Sequence, residues 1–300
     1  MLTINPSYNS TTTSTLSTQA SLDNLLNSPH RIALIAIYTV VLVTGSVGLL
    51  IMTSVLKTNL RSWTTIAFLN LLLAHLIFLL TVPFRIYYYV TNYWKLPPLT
   101  CKIVSAMIHL HMYLVFVIYA VILAIRFVQY YKKTDRIEFY RRLHALAASI
   151  GIWSILIIVG PIILSQYGNQ EVVDENKCFN FGQAASTGNV FGLNVFLSVV
   201  IILVSCVLSC ILGVILYSMI KKNGAACRHQ QEFWAQMKNI SFIVIIFTCL
   251  VPYNIFRLYY LQNPSKMQDS NEIFLSITTL TCADMLLTFA GKGLCQLCGF

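Results

Sequence analysis

Acidic side chains are scarce in this chain. Ten Asp and Glu stand against 20 Lys and Arg in 300 residues, and charged residues of both signs make up only 10%. A soluble domain carries about 25%, so this composition cannot furnish an ordinary water-facing surface. The alternating apolar and polar residues of barrel strands are missing, which excludes a membrane β-barrel. No fixed-period repeat is present, which excludes a solenoid. The first 30 residues have no apolar core of the signal-peptide type.

What the sequence does have is apolar length. Hydrophobic residues make up 57% of the chain. They gather in runs near Ile32–Leu56, Trp63–Phe84, Ile103–Ile125, Leu143–Leu164, Val190–Ile220, Asn239–Phe256 and Ile273–Gly291. A membrane-spanning helix needs roughly 20 such residues. Lipid cannot satisfy open backbone groups, so each run is expected to be helical. The expected fold is an all-α membrane protein, a bundle of seven transmembrane helices over residues 31–291.

With the N-terminus placed outside, the inner segments hold 13 of the 20 basic residues, from Lys57 to Lys292. That bias supports an outer N-terminus and a cytoplasmic C-terminus. It also accounts for the net charge of +10, because basic loops face an anionic inner leaflet. Membrane lipid is therefore the expected partner, and nucleic acid is not. Residues 1–30, rich in Ser, Thr and Asn, read as a disordered outer tail, with a glycosylation acceptor at Asn9. Residues 292–300 read as a short cytoplasmic tail. Its Cys295 and Cys298 are palmitoylation candidates, or alternatively free thiols.

Nine cysteines are present. Cys206, Cys210, Cys249 and Cys282 fall inside apolar runs, where cysteine behaves as a small hydrophobe. Cys227 lies in an inner loop. Cys101 and Cys178 share the oxidising face, so they read as one disulfide.

Seven helices, an outer N-terminus and this disulfide resemble a rhodopsin-family (class A) G-protein coupled receptor. Several positions carry the likeness. Trp94 precedes Cys101 by seven residues, as in that family's first outer loop. Arg126 follows Cys101 by 25 residues, about 37 Å along a helix, where the family keeps the arginine of its D-R-Y motif. Trp153 matches the tryptophan of helix four. Cys249-Leu250-Val251-Pro252-Tyr253 resembles the C-W-x-P-Y stretch of helix six, and Asp284 the acidic residue of the helix-seven motif. The stretches "KIVSAMIHLHMYL", "EFYRRLHALAAS", "QEFWAQMKN" and "NEIFLS" are similar to an orphan branch of that family.

The departures are equally definite. Leu49 stands in place of an asparagine in helix one. Ile125-Arg126-Phe127 lacks the flanking partners of D-R-Y, and Met285 and Thr288 replace the proline and tyrosine of helix seven.

The resemblance implies a function and assigns roles. The expected protein is a plasma-membrane receptor that passes an extracellular ligand signal, or basal activity, to a heterotrimeric G protein by opening helix six. It implies that Arg126 engages the G protein; the competing reading is an arginine snorkelling to lipid phosphate. Glu232 lies 20 residues before Pro252, about 30 Å down helix six, and is expected to pair with Arg126 in a closed state; two solvated residues at a helix end are the alternative. Pro252 removes a backbone hydrogen bond, and the resemblance implies that it serves as the pivot; a fixed kink without motion is the alternative.

Arg85, Tyr87, His109, Tyr253, Asn254 and Arg257 are the pocket candidates. Arginine binds carboxylate or phosphate through two hydrogen bonds, so two of them suggest an anionic ligand. Interfacial anchoring by Arg and Tyr is the alternative. Ile108 replaces the aspartate of amine receptors, and the seventh helix has no lysine for retinal.

His75, in "NLLLAHLIFLLTVPFR", occupies the place of the family's sodium-binding aspartate. It is expected to pair with Asp284 in the core; a His satisfied by backbone or water is the alternative. The His and Cys positions show no metal-ligand spacing and no G-x-S-x-G elbow occurs. Neither metal, cofactor nor enzymatic activity is expected. A non-signalling decoy receptor and a seven-helix transporter or channel are the rival readings.

Overall fold

The computed structural model describes residues 28–58, 63–131, 149, 153, 177–179, 188–223, 239–284 and 286. Every described element is helical, and no strand occurs among the described residues. The helices are α1 (Pro29–Thr58), α2 (Trp63–Leu79), α3 (Val82–Thr91), α4 (Pro98–Tyr131), α5 (Gly188–Asn223), α6 (Val251–Tyr260) and α7 (Gln268–Thr278). A π-helical segment, Ile246–Leu250, leads into α6, and a 3-10 segment, Thr279–Ala283, follows α7.

Five stretches are long and apolar enough to cross a membrane: Pro29–Ser54, Ile66–Thr91, Pro98–Ala124, Val190–Lys221 and Asn239–Tyr260. They correspond to the expected runs one, two, three, five and six. Run four lies outside the described residues except at positions 149 and 153. Large apolar side chains such as Leu50, Phe196, Leu203 and Val214 are exposed. That suits a lipid surround, where a hydrophobic driving force between helices is lacking and packing must hold the bundle.

Local chemistry explains where the helices bend. Pro83 has no N–H, and its ring clashes with the preceding turn. The second run therefore breaks at Leu80-Thr81, and Thr81 closes the break by donating its hydroxyl to the Phe78 carbonyl at 2.7 Å. The restart turns Arg85, Tyr88 and Tyr89 inward. Asn92 ends α3 in the left-handed region, φ 53°, which asparagine tolerates.

Pro252 has a similar effect further on. The turn before it widens into the π segment, and Thr248 donates its hydroxyl to the Val244 carbonyl at 2.8 Å. After α7, the hydroxyls of Ser276, Thr278, Thr279 and Thr281 each bond the carbonyl three residues back. Such side chains compete with the regular helical ladder. The helix tightens there into its 3-10 turn.

Packing builds the core around α4. α1 lies against α2, α3, α7 and the 3-10 segment; α4 lies against α2 and α5; α6 lies against α5 and α7. Tyr38, Leu71, Phe78, Ile108, Met112, Val115, Tyr119, Phe242 and Leu250 are among the fully covered side chains. Gly45 allows the closest approach: a Cβ there would meet Leu79 Cδ1 at 2.9 Å and Cys282 Cβ at 3.3 Å. Small residues at such contacts are how membrane helices come close. Asn70 ties α2 to the fourth run, accepting from Ser149 Oγ at 2.8 Å and Trp153 Nε1 at 2.9 Å.

Candidate functional site

Two polar clusters lie inside the apolar bundle, and a disulfide marks one end of it. Cys101, in the first turn of α4, is bonded to Cys178 with a Cα–Cα distance of 5.8 Å. The Cys178 N–H donates to Tyr88 Oη at 3.3 Å. Phe179 follows in a left-handed conformation, φ 69°, and packs edge-on to Tyr88 and Trp94 and stacked on Tyr89.

The first cluster sits beneath this cap. Arg85 is buried; its guanidinium donates to the Val104 carbonyl at 2.8 Å and to Tyr38 Oη at 3.3 Å. The same group lies 4.4 Å from the Phe179 ring centroid, a cation–π geometry. Tyr89 donates its hydroxyl to Glu272 Oε2 at 2.6 Å. Arg257 is also buried, donating to Asn194 Oδ1 at 2.6 Å and to the Tyr253 hydroxyl. Tyr253 Oη in turn lies 3.3 Å from His109 Nε2.

The fold therefore links Asn194, Arg257, Tyr253 and His109 in one chain of contacts across α5, α6 and α4. Arg85 belongs to a separate set with Tyr38, Val104 and Phe179. Asn254 is buried and spends its amide on the Leu250 carbonyl at 2.8 Å. Tyr87 is 37% exposed, and its neighbours Tyr88 and Tyr89 take the inward positions.

The second cluster contains His75. Its Nε2 lies 3.3 Å from Asp284 Oδ1. Tyr119, on α4, donates its hydroxyl to the other carboxylate oxygen of Asp284. On the opposite edge of the ring, His75 Nδ1 faces His111 Nε2 at 2.9 Å. Cys282 Sγ lies 3.5 Å from the first nitrogen and 3.6 Å from the second. His111 stacks on Phe78, with centroids 4.3 Å apart. All of these groups are buried.

Sequence reasoning missed three members of this cluster. Cys282 read as a small hydrophobe, whereas the 3-10 turn aims it at two imidazoles. His111 had a signal like that of His75, a histidine within an apolar run, four residues before the inward Val115. Tyr119 follows one turn after Val115 on the same face.

Other expected residues fall differently. α4 is unbroken from Cys101 through Arg126, although the Arg126 side chain lies outside the described residues. Glu232, Asn9, Cys295 and Cys298 also lie outside them. Pro252 stands in the first turn of α6, directly after the π segment.

Comparison with known proteins agrees with this architecture. Residues 47–285 match the family described as 7 transmembrane receptor (rhodopsin family). Probable G-protein coupled receptor 141 of Homo sapiens is 41% identical over 273 residues, 88% of either chain. Lysophosphatidic acid receptor 6 of Gallus gallus is 26% identical over 248 residues, covering 81% of this chain and 78% of its own. N-arachidonyl glycine receptor of Rattus norvegicus is 22% identical over 270 residues, 87% of this chain and 81% of its own. These relatives are receptors rather than enzymes, and a match that spans most of the chain makes it a member of the rhodopsin family of seven-transmembrane receptors.

Proposed function

We propose that this chain is a plasma-membrane receptor that passes the binding of an acidic extracellular ligand, or a basal activity, to a heterotrimeric G protein. The N-terminus is outside and the C-terminus cytoplasmic. A disulfide needs an oxidising compartment, so the end of the bundle holding Cys101–Cys178 faces outward. Arg31, in the first turn of α1, donates to the carbonyls of Tyr89 and Val90, and Tyr88 holds Cys178. The start of α1 therefore shares the disulfide's end, which supports the outer N-terminus.

The observation that carries the ligand reading is the buried Arg257 with its polar chain to Asn194, Tyr253 and His109. A desolvated guanidinium favours a carboxylate or phosphate partner. Two relatives are named for lysophosphatidic acid and N-arachidonyl glycine, and both names denote acidic lipids. Arg85 stands beneath the outer cap as a second positive group. Signal transfer is assigned to Arg126 on α4 and to an outward swing of helix six about Pro252, with Glu232 as the restraint on Arg126.

A G-protein dissociation assay in cells tests this, comparing wild type with Arg126→Ala without ligand and across a panel of acidic lipids. Basal or lipid-driven dissociation that vanishes in Arg126→Ala at equal surface expression is the expected result. Equal silence of both proteins across all G-protein classes would establish a decoy instead.

A further inference from the structure

We propose that His75, His111 and Cys282 form a binding site for a zinc ion that staples α2, α4 and the 3-10 turn after α7. The ligand atoms are His75 Nδ1, His111 Nε2 and Cys282 Sγ, one from each element, and all lie within 4.8 Å of one another.

The spacing fits. Zinc takes nitrogen at about 2.0–2.1 Å and sulfur at about 2.3 Å in tetrahedral sites, so bound nitrogens stand about 3.3 Å apart and nitrogen and sulfur about 3.6 Å. The two N–S distances here are 3.5 and 3.6 Å. The N–N distance is 2.9 Å, so one imidazole must back away by about 0.4 Å to admit the ion. Three protein donors leave a fourth position for water or a small anion.

The surroundings fit as well. A metal-bound histidine ordinarily directs its other nitrogen at a carboxylate, which fixes the ring and its tautomer. His75 approaches that arrangement through an ion-pair contact: Nε2 is 3.3 Å from Asp284 Oδ1, and Tyr119 holds the far oxygen of the same carboxylate. The His111 ring is fixed by stacking on Phe78. Its Nδ1 has no hydrogen-bond partner among the described residues, so the outer partner that steadies a metal-bound ring is supplied on the His75 side alone.

The charges also close. One divalent ion, the Cys282 thiolate and the Asp284 carboxylate sum to zero, the arrangement a low-dielectric interior tolerates. The thiol proton leaves to solvent on binding. The donor set of two imidazoles and one thiolate suits zinc, and also copper, better than calcium or magnesium. No sequence spacing announces the site, because the ligands are 36 and 171 positions apart.

The test uses the purified full chain in lipid nanodiscs, titrated with zinc and, in parallel, with cobalt(II) as a spectroscopic substitute. Wild type should bind one more equivalent of zinc than Cys282→Ser or His111→Phe, the latter keeping an aromatic ring against Phe78. Zinc should raise the thermal midpoint of wild type only. Cobalt should give a thiolate charge-transfer band that Cys282→Ser loses and Cys249→Ser keeps. Equal metal content in all variants, or a band that survives Cys282→Ser, overturns the proposal. If the variants do not fold, X-ray absorption on wild type carrying one zinc decides: two nitrogens near 2.0 Å with one sulfur near 2.3 Å are expected. A shell of sulfur alone or of oxygen and nitrogen alone overturns the site. Copper(I) bound more tightly than zinc overturns zinc as its occupant.

Discussion

Tyr119 on α4 donates its hydroxyl to Asp284, 165 residues away. Tyr119 is fully covered and Asp284 nearly so. The contact joins the bundle's central helix to the segment after α7, and the same carboxylate faces His75 through its other oxygen. Tyr119→Phe removes one oxygen and little else. It should lower stability by about 1.5–3 kcal/mol, the scale of a hydrogen bond to a charged group. Thermal unfolding in detergent reads this directly, and an unchanged midpoint would show that the bond contributes nothing.

His75 and Asp284 should be energetically coupled. His75→Asp would set two carboxylates side by side in the core and reduce expression. Adding Asp284→Asn leaves one carboxylate and one amide, and should recover most of the loss. A double-mutant cycle on the thermal midpoint measures the coupling. Simple additivity would show that the 3.3 Å approach carries no energy.

The two buried arginines should behave differently. Arg85→Ala removes a hydrogen bond to Val104 and a ring contact with Phe179, worth about 0.5–2 kcal/mol for the cation–π part alone. It should lower the thermal midpoint even without ligand. Arg257→Ala should weaken an activating acidic lipid by about 1.5–3 kcal/mol for its charge-assisted bond, roughly tenfold to a hundredfold in potency. A dose–response series on both variants separates the two roles. Unchanged lipid potency in Arg257→Ala removes that residue from the pocket.

Cys101→Ser opens a loop of 77 residues. Closing a loop of that size restricts the unfolded chain by about 4.5 kcal/mol. Surface expression should fall sharply in the variant, and labelling of Cys178 by a thiol reagent should appear on intact cells. Normal expression with Cys178 labelled would show that the bond is dispensable.

Gly45→Ala tests how tightly α1 is seated. Its Cβ would press on a movable end of Leu79 but also on Cys282 Cβ, which sits on the backbone and cannot turn aside. Overpacking of this kind costs about 1–3 kcal/mol. A wild-type thermal midpoint would mean that α1 shifts freely.

Much of the architecture could be read from the chain because membrane spans announce themselves by length. Arg85 and Arg257 stood out as charges at helix ends, and His75 through the frame Asn70-Leu71-x-x-Ala74-His75. Inside a run that is apolar on every side, however, periodicity does not tell which face turns inward. That is why Tyr87, rather than Tyr88 or Tyr89, stood among the pocket candidates. Pro83 could have announced the break at Thr81, since proline cannot continue the preceding turn. The contact among His75, His111 and Cys282 had no local signal, because it depends on the hydroxyl-driven tightening after Thr278.

The π segment Ile246–Leu250 has a consequence for anyone who numbers helix six by eye. A single wide turn accommodates one residue more than a regular one, and one residue on an α-helix is about 100° of rotation. Counted back from Pro252 at 3.6 residues per turn, a residue before the π segment is given nearly the right depth but the wrong bearing. Mutational scans and cross-link designs on the stretch from Asn239 to Ile245 should therefore take their angular origin from Phe242 and Ile245, which face the core, and not from the proline.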